Sequence, residues 1–327
     1  SKSAERSSST SLRNIRNPTR TSIKAGLPRA TENRTNIFGE YLAAQCVLVC
    51  MQGHKQEKLL ALVLLVMTCF ALSAHAQAVE VPKGIDHQPW QELLTRYVNA
   101  RGLVDYQAWK RSATDVASLR NYLKQFADAT EEAADGDARI AALINAYNAF
   151  TIDFILQNYP TESIRLLDNE FKGKRYRISG ELWSAEDIEL ETLRPLIGWK
   201  MHSVVVCAAR SCPPLLNKAY FADDWEEKME QRYRLWLARP DLNSYHPDRG
   251  WGSRGQVEIS KIFSWHSVDF KDAVSVQDVL RRFGPDKHAT FLKKADYKIK
   301  YKDYHWGLND QRSLGADYEH SIFNSIF

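Results

Sequence analysis

The chain has 327 residues, 44% hydrophobic and 26% charged, an ordinary globular composition long enough for one large domain or two small ones. Its formal charge of +4 is unevenly spread, because residues 77–327 carry 34 basic and 36 acidic side chains. A near-neutral body gives no electrostatic footing for nucleic acid or an anionic membrane as partner.

Residues 1–50 are rich in Ser, Arg, Asn and Thr and show no sustained apolar period before Tyr41–Cys50. They read either as a disordered leader or as translated sequence upstream of a true start at Met51. The second reading is favoured, because residues 51–76 have the parts of an export signal. His54-Lys55-Gln56-Glu57-Lys58 is a charged start, Leu59 to Leu72 an apolar core, and Ala74-His75-Ala76 a small-x-small cleavage pattern. The apolar run is short for a membrane span, which weighs against an uncleaved anchor. Met67 and Thr68 weigh against lipid modification at Cys69. The expectation is a periplasmic or secreted protein, cleaved near Ala76, that meets a membrane only through this signal. Cleavage removes Cys46, Cys50 and Cys69 and leaves Cys207 and Cys212. Two cysteines in an oxidising compartment are expected to pair, with a loop-entropy gain of roughly 2 kcal/mol.

Within residues 77–309, expected to form a single globular domain, apolar spacing predicts helices over Gln88–Ala100 and Ala117–Phe126. Between them Val104, Tyr106 and Trp109 suggest a short strand or extended turn. Asp137–Tyr159 is the most regular helix, with Asp137 as N-cap and Pro160 as stop. Lys172–Glu181 reads as two extended pieces around a Ser179-Gly180 turn. Ser184 and Asp187 have the spacing of a capping box opening a helix that runs to Gly198. Asp223 or Asp224 starts another helix, Asn243–Gln256 is a polar loop, and Val257–Ile259 a strand. Ile262–Phe270 is a short aromatic element, Val276–Phe283 a helix and Tyr297–Tyr301 a strand. Residues 310–327 are expected to be a flexible tail. The fold class is α/β or α+β, a single mostly helical domain around a small sheet.

The informative stretch is Met201–Leu216. Ser203–Val206 is β-branched and reads as a strand, followed by a polar turn between Cys207 and Cys212 and a stop at Pro213-Pro214. Asn145 and Asn148 sit three apart on one helix face in an otherwise apolar run, with Tyr147 between them. Buried amides need partners, so both either bond a neighbouring loop or line a polar pocket. No GxGxxG, P-loop, HExxH or GxSxG motif occurs, so nucleotide and zincin readings are unsupported.

The N-A-Y-N run at Asn145–Asn148, the Asn158-Tyr159-Pro160 after it, His202, and C-A-A-R-S-C-P-P at Cys207–Pro214 resemble the bacterial domain of unknown function 547 family. Phe263-x-Trp265-x-x-x-Asp269-Phe270 and Tyr304-x-Trp306-x-Leu308-Asn309 fit it too, in order, over roughly residues 85–309. The resemblance implies a frequently exported domain and brings no activity. His266 stands where that family often has Tyr.

Two classes of function fit these residues. The first is a binding module for a small molecule or peptide. In it a Cys207–Cys212 disulfide fixes a loop beside Asn145, Tyr147 and Asn148, with Arg210 and Trp265 completing the site. The second is a hydrolase or acyl transferase with Cys207 as nucleophile and His202 as base. On a strand, residues five apart point to opposite faces, so His202 and Cys207 would need a bend between them; His266 or His305 could serve instead. Cys207, Cys212 and His202 make a poor zinc set, so neither metal nor other cofactor is expected.

Overall fold

A computed structural model describes residues 78–129, 131–247, 254–271 and 274–312. The chain divides into two units, Ser1–His75 and Ala76–Phe327, and every described residue belongs to the second. The expected leader, export signal and most of the expected tail lie outside the described residues.

The fold is α+β and mostly helical, with two small sheets where one was expected. Its axis is a long helix, Gly136–Asn158, in which fourteen residues are buried, Ala141 to Ile152 without a break. That helix is long and apolar enough to cross a membrane, but 83% of its apolar window is buried inside the fold, which makes it a core helix. In chain order it is α4, and around it pack α2 (Tyr106–Arg111), α3 (Ala113–Lys124) and, further along the chain, α6 (Trp225–Ala238), while α1 (Gln88–Tyr97) packs on α2 and α3. Stacked rings join α1 to these two: Trp90 on Tyr122, and Tyr97 on Trp109 with centroids 4.6 Å apart. The stretch expected to be extended at 104–109 is helical, because Asp105 caps it by accepting the Ala108 amide at 2.9 Å. Asp137 is not the cap of α4; its carboxylate accepts the Trp225 indole at 2.8 Å and ties α4 to α6.

β1 (Tyr176–Ile178) and β2 (Glu181–Trp183) form the expected hairpin. Ser179 and Gly180 take φ of 49° and 84°, the left-handed pair that matches strand twist. Ser184 and Asp187 then cap each other reciprocally, with both hydroxyl-to-carboxylate and amide-to-carboxylate contacts at 2.8 Å. The chain continues as a wide π-helical segment, Asp187–Leu193, before α5 (Arg194–Ile197) and a tight 3-10 turn, Gly198–Ser203. The Thr192 hydroxyl bonds Asp187 O at 3.0 Å and accepts the Val79 amide at 2.9 Å, which supplies partners a regular helix would not need there.

The second sheet has the order β3 (Ser244–His246), β4 (Gly255–Ile259), β5 (Tyr297–Tyr301), with β3–β4 antiparallel and β4–β5 parallel. Between β4 and β5 lie α7 (Ile262–Trp265), a 3-10 turn at Ser267–Phe270, α8 (Val276–Phe283) and α9 (Ala289–Lys294). The chain then returns through 304–312, which is not loose. Asp310 is fully buried and accepts the Tyr159 hydroxyl at 2.8 Å, and Gln311 donates its amide to Val104 O at 3.0 Å. The ordered domain therefore reaches past 309.

Candidate functional site

Ser203–Val206 is not a strand. His202 and Ser203 end the 3-10 turn, and residues 204–206 run without a ladder partner. Their partner is a side chain. Asn148 Nδ2 donates to Val204 O at 2.8 Å, and the Val206 amide donates to Asn148 Oδ1 at 3.0 Å. Asn145 does the same to Tyr220, donating to its carbonyl at 2.7 Å and accepting its amide at 3.0 Å. A primary amide offers the donor and acceptor that a neighbouring strand would have offered. Both Asn side chains are buried and engaged with loop backbone, and neither is in the lining of the cavity beside the cysteine turn.

The turn between the two cysteines is pinned to the returning segment 304–309. Arg210 donates its amide to Gly307 O at 2.8 Å, Asn309 donates to Ala208 O at 2.9 Å, and Ala208 takes φ 59°. Arg210 turns its guanidinium to Asp310 O at 2.9 Å; it fastens the turn and does not line the cavity. The sulfurs of Cys207 and Cys212 lie 2.19 Å apart, at disulfide distance. The Tyr304 hydroxyl touches both, 3.2 Å from each.

Beside these sulfurs is a cavity of about 490 Å³. Tyr147, His202, Cys207, Cys212 and Trp265 all line it, together with His266, the alternative base, and Tyr304 and Trp306 of the family pattern. With no strand joining them, His202 and Cys207 reach the same cavity. One wall is aromatic: Trp265 lies 4.9 Å from Tyr304 and 5.9 Å from Trp306 between centroids, and Arg165 sits over the Trp306 ring at 5.1 Å.

Another part of the lining is titratable. The π-helical segment contributes Glu189, whose Oε2 accepts the Tyr147 hydroxyl at 2.9 Å. Burial raises the Glu189 carboxyl above the ordinary carboxylate range, against the downward pull of the Tyr147 bond. His202 Nε2 is 2.9 Å from Asp269 Oδ2, and Arg194 Nε donates to Asp269 Oδ1 at 2.7 Å. The His202 bond, joined by that of Arg194, holds Asp269 down to about 2 although burial opposes it. His266 faces His202 with ring centroids 4.4 Å apart, and burial, reinforced by His202, pushes it down to about 4.

Sequence reasoning passes over Glu189 and Arg194, and it weighs His266 only as a substitute base. Asp269, Tyr304 and Trp306 enter through the family pattern alone. No local pattern marks Glu189: its partner is 42 residues away and its placement depends on the π-helical turn.

The profile of a family described as "Protein of unknown function, DUF547" matches residues 132–237. Tyr147, Glu189, His202, Cys207 and Cys212 fall inside that match, while Trp265, His266, Asp269, Tyr304 and Trp306 lie beyond it. Comparison with curated proteins and with solved structures returns no match.

Proposed function

We propose that the chain is an exported member of the unknown-function 547 family, and that its body binds a small molecule or short peptide in the cavity beside Cys207 and Cys212. The observation that carries this reading is the make-up of the cavity. About 490 Å³ is within the size range of small-molecule sites, and an aromatic wall opposite a few titratable groups is their usual composition. Trp265, Tyr304 and Trp306 would grip an apolar or ring-bearing portion by stacking. Glu189 and His202 would set its orientation, and Lys172, with the Glu170-paired Arg165, would meet an anionic group while Glu186 and Glu189 on the same lining would meet a donor. A Cys207–Cys212 disulfide would hold the turn in one arrangement, which lowers the ordering cost on binding. Export through residues 51–76 supports that pairing, and the near-neutral body argues for neither nucleic acid nor membrane surface as partner. The test uses anilinonaphthalene sulfonate, an aromatic anion of suitable size, as fluorescent probe. The native full-length chain binds it saturably, Trp265→Ala weakens binding at least about tenfold, and library compounds or peptides that displace it identify the ligand class. Absence of saturable binding sinks this reading.

A second reading has one specific observation behind it: Cys207 and His202 line the same cavity, and Asp269 orients His202. Once an external dithiol has reduced the disulfide, Cys207 could attack the acyl carbon of an ester or amide; His202 would take the thiol proton and pass it to the departing alcohol or amine as the acyl C–O or C–N bond breaks, leaving a thioester for water or another acceptor to open. Iodoacetamide after mild reduction separates the two readings. Fast, pH-dependent alkylation of Cys207 that slows on His202→Gln favours the enzyme; slow, equal alkylation of both cysteines favours the binding module.

A further inference from the structure

His202 and His266 line the cavity, Asp269 bonds His202, and the three, which come from two separate turns of the chain, each offer a ligand atom within 4.8 Å of the others. We infer that these three residues bind one divalent transition-metal ion, with Zn²⁺ the best match to their chemistry. Two imidazoles and one carboxylate form a nitrogen-rich, borderline-soft set, unsuited to calcium or magnesium and suited to zinc and its first-row neighbours.

The geometry is near what an ion requires. Bonds of about 2.0–2.2 Å to a tetrahedral centre place donors about 3.4 Å apart, so small side-chain movements bring the three into range. The His202–Asp269 separation of 2.9 Å would open slightly as the ion replaces their shared proton. Asp269 is already aimed, because Arg194 holds its other oxygen at 2.7 Å, the kind of outer contact that fixes a ligating carboxylate. The His266 ring has a contact with the His202 ring and no hydrogen bond among the described residues, so it has a nitrogen available for an ion. Two of the three ligands, His202 and His266, line the open cavity, which leaves a fourth position for water or for a donor atom of the cavity's occupant, the pattern of a reactive site more than of a structural one.

This inference does not depend on what the cavity binds. It competes with the thiol reading, since an ion on His202 would take that imidazole out of service as a base. The full-length chain, stripped with a chelator, is dialysed against Co²⁺, a spectroscopic stand-in for Zn²⁺, and metal content and visible absorption are read together. The expected result is saturable uptake at one site per chain, visible bands of a four- or five-coordinate nitrogen and oxygen site, and displacement by Zn²⁺. His266→Gln and Asp269→Asn, each first shown to keep its near-ultraviolet circular dichroism, lower the affinity at least about tenfold. No saturable uptake by the wild type, uptake unchanged in the folded variants, or a sulfur-to-cobalt charge-transfer band placing the ion on the cysteines would each overturn it.

Discussion

Asn148 Oδ1 accepts the Val206 amide at 3.0 Å while its Nδ2 donates to Val204 O at 2.8 Å, so one side chain positions the backbone that leads into Cys207. Asn148→Ala leaves two buried backbone groups without partners. The expected loss is about 2–4 kcal/mol, measured by urea denaturation. If Asn148→Ala costs no more than a surface substitution, the amide is not what holds this segment.

Tyr147 and Glu189 make the next prediction. Tyr147→Phe removes the hydroxyl that Glu189 Oε2 accepts, and the expected stability loss is about 1–2 kcal/mol. Because that bond pulls the Glu189 carboxyl downward, its removal raises the carboxyl further. Carboxyl NMR of Glu189 in both proteins reads the direction, and a fall in the variant contradicts the pairing.

Stability depends on pH through buried imidazole. His87 Nδ1 lies 2.9 Å from the Tyr122 hydroxyl, and burial pushes the ring from 6.5 down to about 4. The folded chain keeps it neutral, whereas the unfolded chain binds a proton near 6.5. Unfolding therefore takes up protons between these values, and the stability from this group, about 3 kcal/mol in full, is present above pH 6.5 and lost as pH falls towards 4. His266, also pushed down to about 4, acts with the same sign in the metal-stripped chain. Denaturation midpoints at stepped pH give the slope, and His87→Gln removes about half of it. An unchanged slope in that variant rules out His87 as a source.

The longer helices and the β1–β2 turn are legible in the sequence because each depends on residues close in the chain, whereas the short helices Tyr106–Arg111 and Ala289–Lys294 are not. Val276–Phe283 has the expected bounds, set by apolar spacing and the Ser275–Asp278 capping box. Ser203–Val206 misleads for a reason with physical content. Its β-branched residues do have an extended-chain partner, but that partner is the Asn148 amide and not a strand. The two asparagine amides are open to two readings in the sequence, and their bonds to Val204, Val206 and Tyr220 leave the pocket role to Tyr147, one residue away. Within the site, the cysteine turn and Trp265 stand out by composition, while Glu189 is placed by a helix of unusual pitch that no spacing rule signals.

Opening the Cys207–Cys212 pair with reductant is expected to cost about 2 kcal/mol, the loop-closure value for so short a ring. The fold survives, since backbone bonds from Arg210 and Asn309 hold the turn independently of the sulfurs. Thermal melts with and without reductant check this; a chain that unfolds on reduction contradicts it.

The cavity between the cysteine turn and the Trp265–Trp306 wall is, on this account, where the protein works. The most direct measurement is a ¹H–¹⁵N NMR titration of the full-length chain with anilinonaphthalene sulfonate. The account predicts saturable shifts of the Trp265 and Trp306 indoles and of the amides around Tyr147, Glu189 and His202, with the buried Trp90 and Trp109 indoles unmoved. Saturable shifts confined to another part of the molecule, or none at all, would contradict it.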